Sequence, residues 1–141
     1  MSRTYRIREC VHEDCAAVLD LWRQADAIPS RTDTLEELQR LVDENTGLFL
    51  VAEEAGRLLG TIIGGWDGWR GNIYRLAVSP DCRRRGVAGS LVAEVERRLR
   101  AKGACRVTAL VVRSEDHAMA FWEATGYDHD RRMVRYVKTL D

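Results

Sequence analysis

Ile73-Tyr74-Arg75-Leu76-Ala77-Val78 leads through Ser79-Pro80 into Arg83-Arg84-Arg85-Gly86-Val87-Ala88-Gly89, and this succession decides the fold. The first stretch is an apolar run with strand character. After the second, Ala88, Leu91, Val92, Val95 and Leu99 fall at i, i+3, i+4, i+7 and i+11, the apolar stripe of a helix. A glycine-rich turn carrying three arginines therefore opens a helix just after a strand. Such a turn points several backbone N–H groups at one spot, and the helix dipole adds positive potential there. Gly86 and Gly89 lack a Cβ, so a ligand can come close to the backbone. The natural occupant is a diphosphate. The competing reading is a solvated arginine run beside an ordinary glycine turn. Two other phosphate loops fit less well. A Walker A loop ends in Gly-Lys-Ser/Thr and this turn holds no lysine, while the dinucleotide fingerprint G-x-G-x-x-G is absent.

Working outward, Asn72 to Val78 is a strand, the helix runs to Lys102, and Gly103 stands just past its end. Cys105 to Val112 is apolar and β-branched, a buried strand. This strand–helix–strand unit implies a right-handed crossover and a parallel pair. Upstream, Leu48 to Glu53 and Leu58 to Gly64 form an antiparallel pair across Glu54-Ala55-Gly56, and Gly65 to Gly71 (GWDGWRG) is a loop. Thr4 to Arg8 is a first strand. Glu13 to Ala25 is an amphipathic helix broken by Pro29 and Ser30. Thr34 to Asn45 is a second helix, with Thr34 and Glu37 in a capping-box pattern and Leu35, Leu38, Leu41 and Val42 as its stripe. Ser114 to Thr125 is a short helix closed by Gly126, and Met133 to Leu140 alternates as a last strand. The order β-α-α-β-β-β-α-β-α-β gives an α/β fold: a mixed sheet with helices on both faces.

A chain of 141 residues suggests one domain, 1–141. Formal net charge is zero, so no global attraction draws it to nucleic acid or an anionic membrane. The basic cluster is local, which favours a small anionic ligand. No apolar stretch approaches a membrane span, and Met1 to Arg8 lacks the apolar region of a signal peptide, so a cytoplasmic location is expected. The four cysteines (Cys10, Cys15, Cys82 and Cys105) form no C-x-x-C and only three histidines accompany them, so no metal site is expected. Reduced, partly buried thiols are the expected state. Cys82 borders the arginine turn, where a thiolate is favoured, but spacing puts no base beside it.

Two motifs together carry a family resemblance. Arg83-x-x-Gly86-x-Ala88 matches the Gln/Arg-x-x-Gly-x-Gly/Ala motif of the Gcn5-related N-acetyltransferases (GNAT), and Leu76-Ala77-Val78-Ser79-Pro80 looks like that family's central strand and its exit. Ala118-x-x-Phe121-Trp122-x-x-x-Gly126-Tyr127 is similar to its second signature, Ala-x-x-Phe-Tyr-x-x-x-Gly-Phe. The segment from Leu48 through Gly71 further resembles the YpeA-like bacterial branch. The resemblance implies acetyl-coenzyme A as cosubstrate and acetyl transfer to a primary amine by direct attack in a ternary complex. It implies that the backbone from Arg85 through Val87, Ala88 and Gly89, with Ser90 next to it, holds the pyrophosphate. The side chains of Arg83, Arg84 or Arg85 then touch phosphates. Leu76, Ala77 and Val78 pair with the pantetheine arm as though it were an added strand, which requires the parallel strands to splay. A main-chain N–H near Leu76 or Val78 polarises the thioester carbonyl and stabilises the oxyanion.

The chain departs from the family pattern at two places. Trp122 stands where many relatives have a tyrosine acid; an indole N–H donates a hydrogen bond but delivers no proton near neutrality. It either steadies the leaving thiolate or packs the coenzyme's edge. Glu115 stands where relatives carry an asparagine, so no coenzyme contact is carried over to it. No general base is evident: Asp67, Glu115, Asp116 and His117 are the nearby titratable residues, and each also reads as surface, turn or helix-start chemistry. Trp66 and Trp69 suggest an acceptor pocket, a dimer contact or plain packing. The acceptor is a small-molecule or peptide amine, and a homodimer is common in the family. The alternative from another class is a non-catalytic acyl-coenzyme-A binding or sensing module.

Overall fold

The computed structural model describes residues 4–44, 47–112 and 116–140, the side chain of Asp116 excepted. They fall into two compact units, Met1–Leu110 and Val111–Asp141. The first unit holds β1 (Arg6–Glu9), α1 (Cys15–Gln24), α2 (Leu35–Glu44), β2 (Phe49–Glu54), β3 (Arg57–Trp66), β4 (Gly71–Val78), α3 (Val87–Lys102) and β5 (Val107–Ala109); the second holds α4 (Asp116–Ala124). The expected order of elements holds from β1 through α4.

The strands form one mixed sheet in the order β1-β2-β3-β4-β5, antiparallel up to β4 and parallel between β4 and β5. Side chains of a strand alternate between faces. One face of the sheet sends Phe49, Val51, Ile63 and Ala77 into a core with Cys15, Val18, Leu21 and Trp22 of α1 and Leu38 of α2. The other face takes α3, whose stripe of Val87, Leu91, Val95 and Leu99 is buried. That helix sits so close that a Cβ on Gly71 would lie 2.7 Å from Leu99 Cδ1. Local chemistry sets the helix ends. Thr34 accepts the Glu37 N–H (3.2 Å) ahead of α2, and Gly103, at φ +113°, closes α3 in the left-handed conformation that its missing Cβ permits.

Three expectations need correction. Gly65, Trp66 and Gly71 belong to strands rather than a loop, because Asp67 closes a tight turn by accepting the N–H groups of Trp69 and Arg70 (both 2.8 Å). The strand expected over Cys105 to Val112 shrinks to Val107–Ala109, since its ladder with β4 is only three residues long. No strand forms over Met133 to Leu140: Met133, Val134, Tyr136, Val137 and Leu140 are exposed, and no described strand pairs with them. Alternation supplies a strand's pattern, but only a ladder partner satisfies its backbone. The expected start of the last helix at Ser114 and the end of the second helix at Asn45 lie outside the described residues.

Candidate active site

The site begins where β4 and β5 part. Their register runs from Gly71↔Val107 to Ile73↔Ala109, and a last bond joins the Leu110 N–H to Ile73 O (3.3 Å). β4 continues to Val78, and among the described residues no strand pairs with this edge beyond that point. The splay leaves one edge of Leu76, Ala77 and Val78 open, and an open edge receives an extended ligand as it would another strand.

On its other edge β4 carries a bulge. Ile63 opposes Tyr74 and Thr61 opposes Ala77, so Arg75 and Leu76 together face Ile62 alone. Arg75 has φ +52°. The left-handed conformation costs a residue with a Cβ about 1–2 kcal/mol, and here it coincides with the bulge. The Thr61 hydroxyl, fully buried, donates to Arg75 O (3.1 Å) and accepts the Trp22 indole N–H (2.9 Å). The Arg75 guanidinium donates to both carboxylate oxygens of Asp33 (2.9 and 2.8 Å) and lies 5.0 Å from the Trp22 ring centre.

Beyond β4 the chain makes a 3-10 turn at Pro80–Cys82, held by Arg57, which donates to Ser79 Oγ (3.0 Å) and Asp81 (2.6 Å). The Arg57 guanidinium holds the Asp81 carboxyl well below the usual carboxylate range, with help from the Ser79 hydroxyl. The arginine turn follows. Arg84 (φ +66°) and Gly86 (φ +80°) are both left-handed, and such alternation gathers successive N–H groups into an anion-binding concavity. Gly86 caps α3 with no side-chain bond, and the helix's first internal bond is Ser90 N–H to Gly86 O (3.0 Å). The N–H groups of Val87, Ala88 and Gly89 thus belong to an uncapped first turn, where the helix dipole is positive. A Cβ on Gly89 would meet nothing within 4 Å, so this surface is open to a ligand. Val87 is buried and offers only its backbone. The Ser90 hydroxyl is hydrogen-bonded to Tyr5 (2.9 Å), which ties the turn to the start of β1.

The three arginines have different surroundings. Arg85 donates to Glu54 (2.6 Å) and Thr4 (3.0 Å), and this bond lowers the Glu54 carboxyl's pKa. Arg83 and Arg84 are exposed and have no ion pair among the described residues.

An open strand edge leading into an uncapped, nest-forming helix start can receive an extended ligand with an anionic end. The acetyltransferase (GNAT) family matches residues 15–127. An acetyltransferase of Sodalis glossinidius (strain morsitans) is 36% identical over 134 residues, covering 95% of this chain and 94% of that protein. The chain belongs to the GNAT acetyltransferase family. It is an acetyl-coenzyme-A-dependent acyltransferase. The PaiA N-acetyltransferase of Thermoplasma acidophilum, solved in complex with coenzyme A, shares the fold with a TM-score of 0.80 at 20% identity, each chain 92% covered. An aminoglycoside 6'-N-acetyltransferase of Acinetobacter haemolyticus does so with a TM-score of 0.77 at 19% identity, over 96% of this chain and 99% of that one.

In this acetyltransferase the second signature forms a small aromatic cluster. Trp122 is buried in the second unit and meets Phe121 and Tyr127 edge-on, with ring centres 5.4 and 4.8 Å apart. Of the candidate bases, Asp67 is consumed by its turn: the Arg70 and Trp69 N–H groups lower its pKa. The turn stands at the start of β4, about 23 Å from its end by the rise of a strand. Trp66 lies near Gly103 at the far end of α3, and Trp69 is 70% exposed with Arg70 stacked at 4.0 Å. His117 is exposed on α4, while Glu115 and the side chain of Asp116 lie outside the described residues. Cys82 is buried and donates to Asp81 (3.6 Å). Sequence reasoning missed Tyr5, Asp33, Arg57, Thr61 and Asp81. No local pattern marks them, because Asp33 and Thr61 stand 42 and 14 residues from Arg75.

Proposed function

We propose that the enzyme moves an acetyl group from acetyl-coenzyme A to a primary amine by direct attack in a ternary complex, with 1–141 acting as one acetyltransferase domain. The observation that carries this reading is the edge of β4 left open beyond Ile73, leading within a few residues to the uncapped start of α3. The amides from Arg85 to Gly89 hold the pyrophosphate. Arg83 and Arg84, exposed and without ion pairs among the described residues, supply charge to phosphates, whereas Arg85 serves mainly to anchor the turn through Glu54. Leu76, Ala77 and Val78 pair with the pantetheine arm, and an N–H of the bulge polarises the thioester carbonyl. Trp122 is assigned to the coenzyme on its motif alone.

Catalysis rests on orientation of amine and thioester. A neutral amine or a water relay removes the need for a positioned base. The leaving thiolate needs little help, since a thiol pKa is about 8.5. The acceptor is a small-molecule or peptide amine; fold neighbours named as aminoglycoside acetyltransferases support the small-molecule class. We place the enzyme in the cytoplasm, with a monomer and a homodimer both open as its assembly; among the described residues no helix is long and apolar enough to cross a membrane.

Isothermal titration of acetyl-coenzyme A into the wild type and Gly86→Asp tests the site. An aspartate there brings a negative charge into the nest; its Cβ meets nothing closer than Tyr5 Oη at 3.9 Å, and the cost is the left-handed backbone at φ +80°, so the variant's folding is checked alongside. Binding by the wild type that a folded variant loses supports the site, and no binding by the wild type refutes it. Thiol release across an amine panel then reads the transfer itself and identifies the acceptor class.

A further inference from the structure

We infer that Asp33, Arg75, Thr61 and Trp22 form a positioning network that aims the Leu76 N–H at the thioester carbonyl; the inference rests on the coenzyme site proposed above. The bulge itself does not determine which way its peptide groups face. Thr61 does. Its hydroxyl, on β3, donates to the Arg75 carbonyl oxygen at 3.1 Å, so this carbonyl points toward β3. The peptide between Arg75 and Leu76 is trans, as is every peptide among the described residues. In a trans peptide the N–H is antiparallel to the C=O. The Leu76 N–H therefore points away from β3, toward the edge of β4 that β5 leaves open.

Each further member of the network holds this peptide in place. The Thr61 oxygen accepts the Trp22 indole N–H (2.9 Å), which leaves the hydroxyl proton for the Arg75 carbonyl. Arg75, left-handed at φ +52°, would relax toward extended backbone if its side chain were free. Instead its guanidinium is fixed by both oxygens of Asp33 and stacks on Trp22. Asp33 is fixed in turn. It sits in the connection between α1 and α2, where its carboxylate accepts the Ser30 N–H (3.0 Å) and its own N–H donates to Ser30 O (3.1 Å). Asp33 and Arg75 touch no reacting atom and act through the backbone of Leu76, so they are positioning residues.

The test uses acetyl-coenzyme A labelled with carbon-13 at the acetyl carbonyl and needs no acceptor. Difference infrared spectroscopy of the bound coenzyme reads polarisation of the carbonyl directly. In the wild type the band is expected below its position in free coenzyme. In Thr61→Val and Asp33→Asn it is expected to return most of the way to the free position, with the coenzyme still bound by titration; Arg75→Lys, which keeps the charge, is expected to retain part of the shift. Asp33→Asn keeps an oxygen for the Ser30 N–H, so it decides the matter if Thr61→Val fails to fold. A band unmoved by Asp33→Asn, or a wild-type band already at the free position, overturns the inference while leaving the coenzyme site intact. Failure of the wild type to bind coenzyme refutes the site itself, a distinguishable result.

Discussion

A methyl group has opposite effects at two glycines of the β4–α3 unit. At Gly71 it would meet Leu99 Cδ1 at 2.7 Å and Cδ2 at 3.1 Å, and Leu99 is fully buried. Gly71→Ala must displace the packed Leu99 side chain, and we expect a loss of about 1–3 kcal/mol in urea unfolding. At Gly89 the same methyl meets nothing within 4 Å and lies in a helix. Gly89→Ala should therefore stabilise the free protein by up to about 1 kcal/mol, because alanine loses less entropy in a helix. The same variant should bind acetyl-coenzyme A more weakly by titration, since the methyl occupies the open surface over the first-turn amides. The sequence marks Gly89 as a place where a ligand approaches, through its spacing from Arg83 and Gly86. It says nothing comparable of Gly71, whose neighbour Leu99 is brought there only when the helix folds back on the sheet.

Among the elements, helices were more legible than strands. The start of α2 depends on Thr34 and Glu37, three residues apart, and the end of α3 on Gly103. Thr34→Ala removes the acceptor for the Glu37 N–H and should cost about 1 kcal/mol, read as a lower urea midpoint with coenzyme affinity unchanged. Strand limits depend on partners far along the chain. The apolar run from Cys105 to Val112 gives no sign that only Val107–Ala109 pair with β4, and it is this early parting that opens the edge of β4. The alternation from Met133 to Leu140 reads as a strand for the same reason that it fails to be one here: side-chain pattern is local, and ladder bonds are not.

For the molecule as a whole, the titrating groups set a direction for acid stability. Arg8 holds the Asp14 carboxyl below the usual carboxylate range, with bonds of 2.7 and 3.0 Å and a further bond from the Val11 N–H. Arg97, with Arg98, lowers Glu94 to about 2. Both folded values lie below the unfolded ones, near 4. The stability these pairs contribute is therefore present above about pH 4 and is lost on acidification, for Glu94 as pH falls toward about 2. Urea midpoints should drop over that window, and Glu94→Gln should flatten the drop. The fold class, the order of elements up to α4 and the arginine turn were settled by the sequence itself, because hydrophobic period, caps and glycine spacing are short-range properties of a chain. Tertiary structure decided the splay of β4 from β5, the turning of Arg85 toward Glu54, and the joining of Asp33 and Thr61 to the bulge at Arg75. Each of these depends on groups distant in sequence meeting in space, and the free energy of such a meeting is fixed by the packed sheet and helices rather than by any local run of residues.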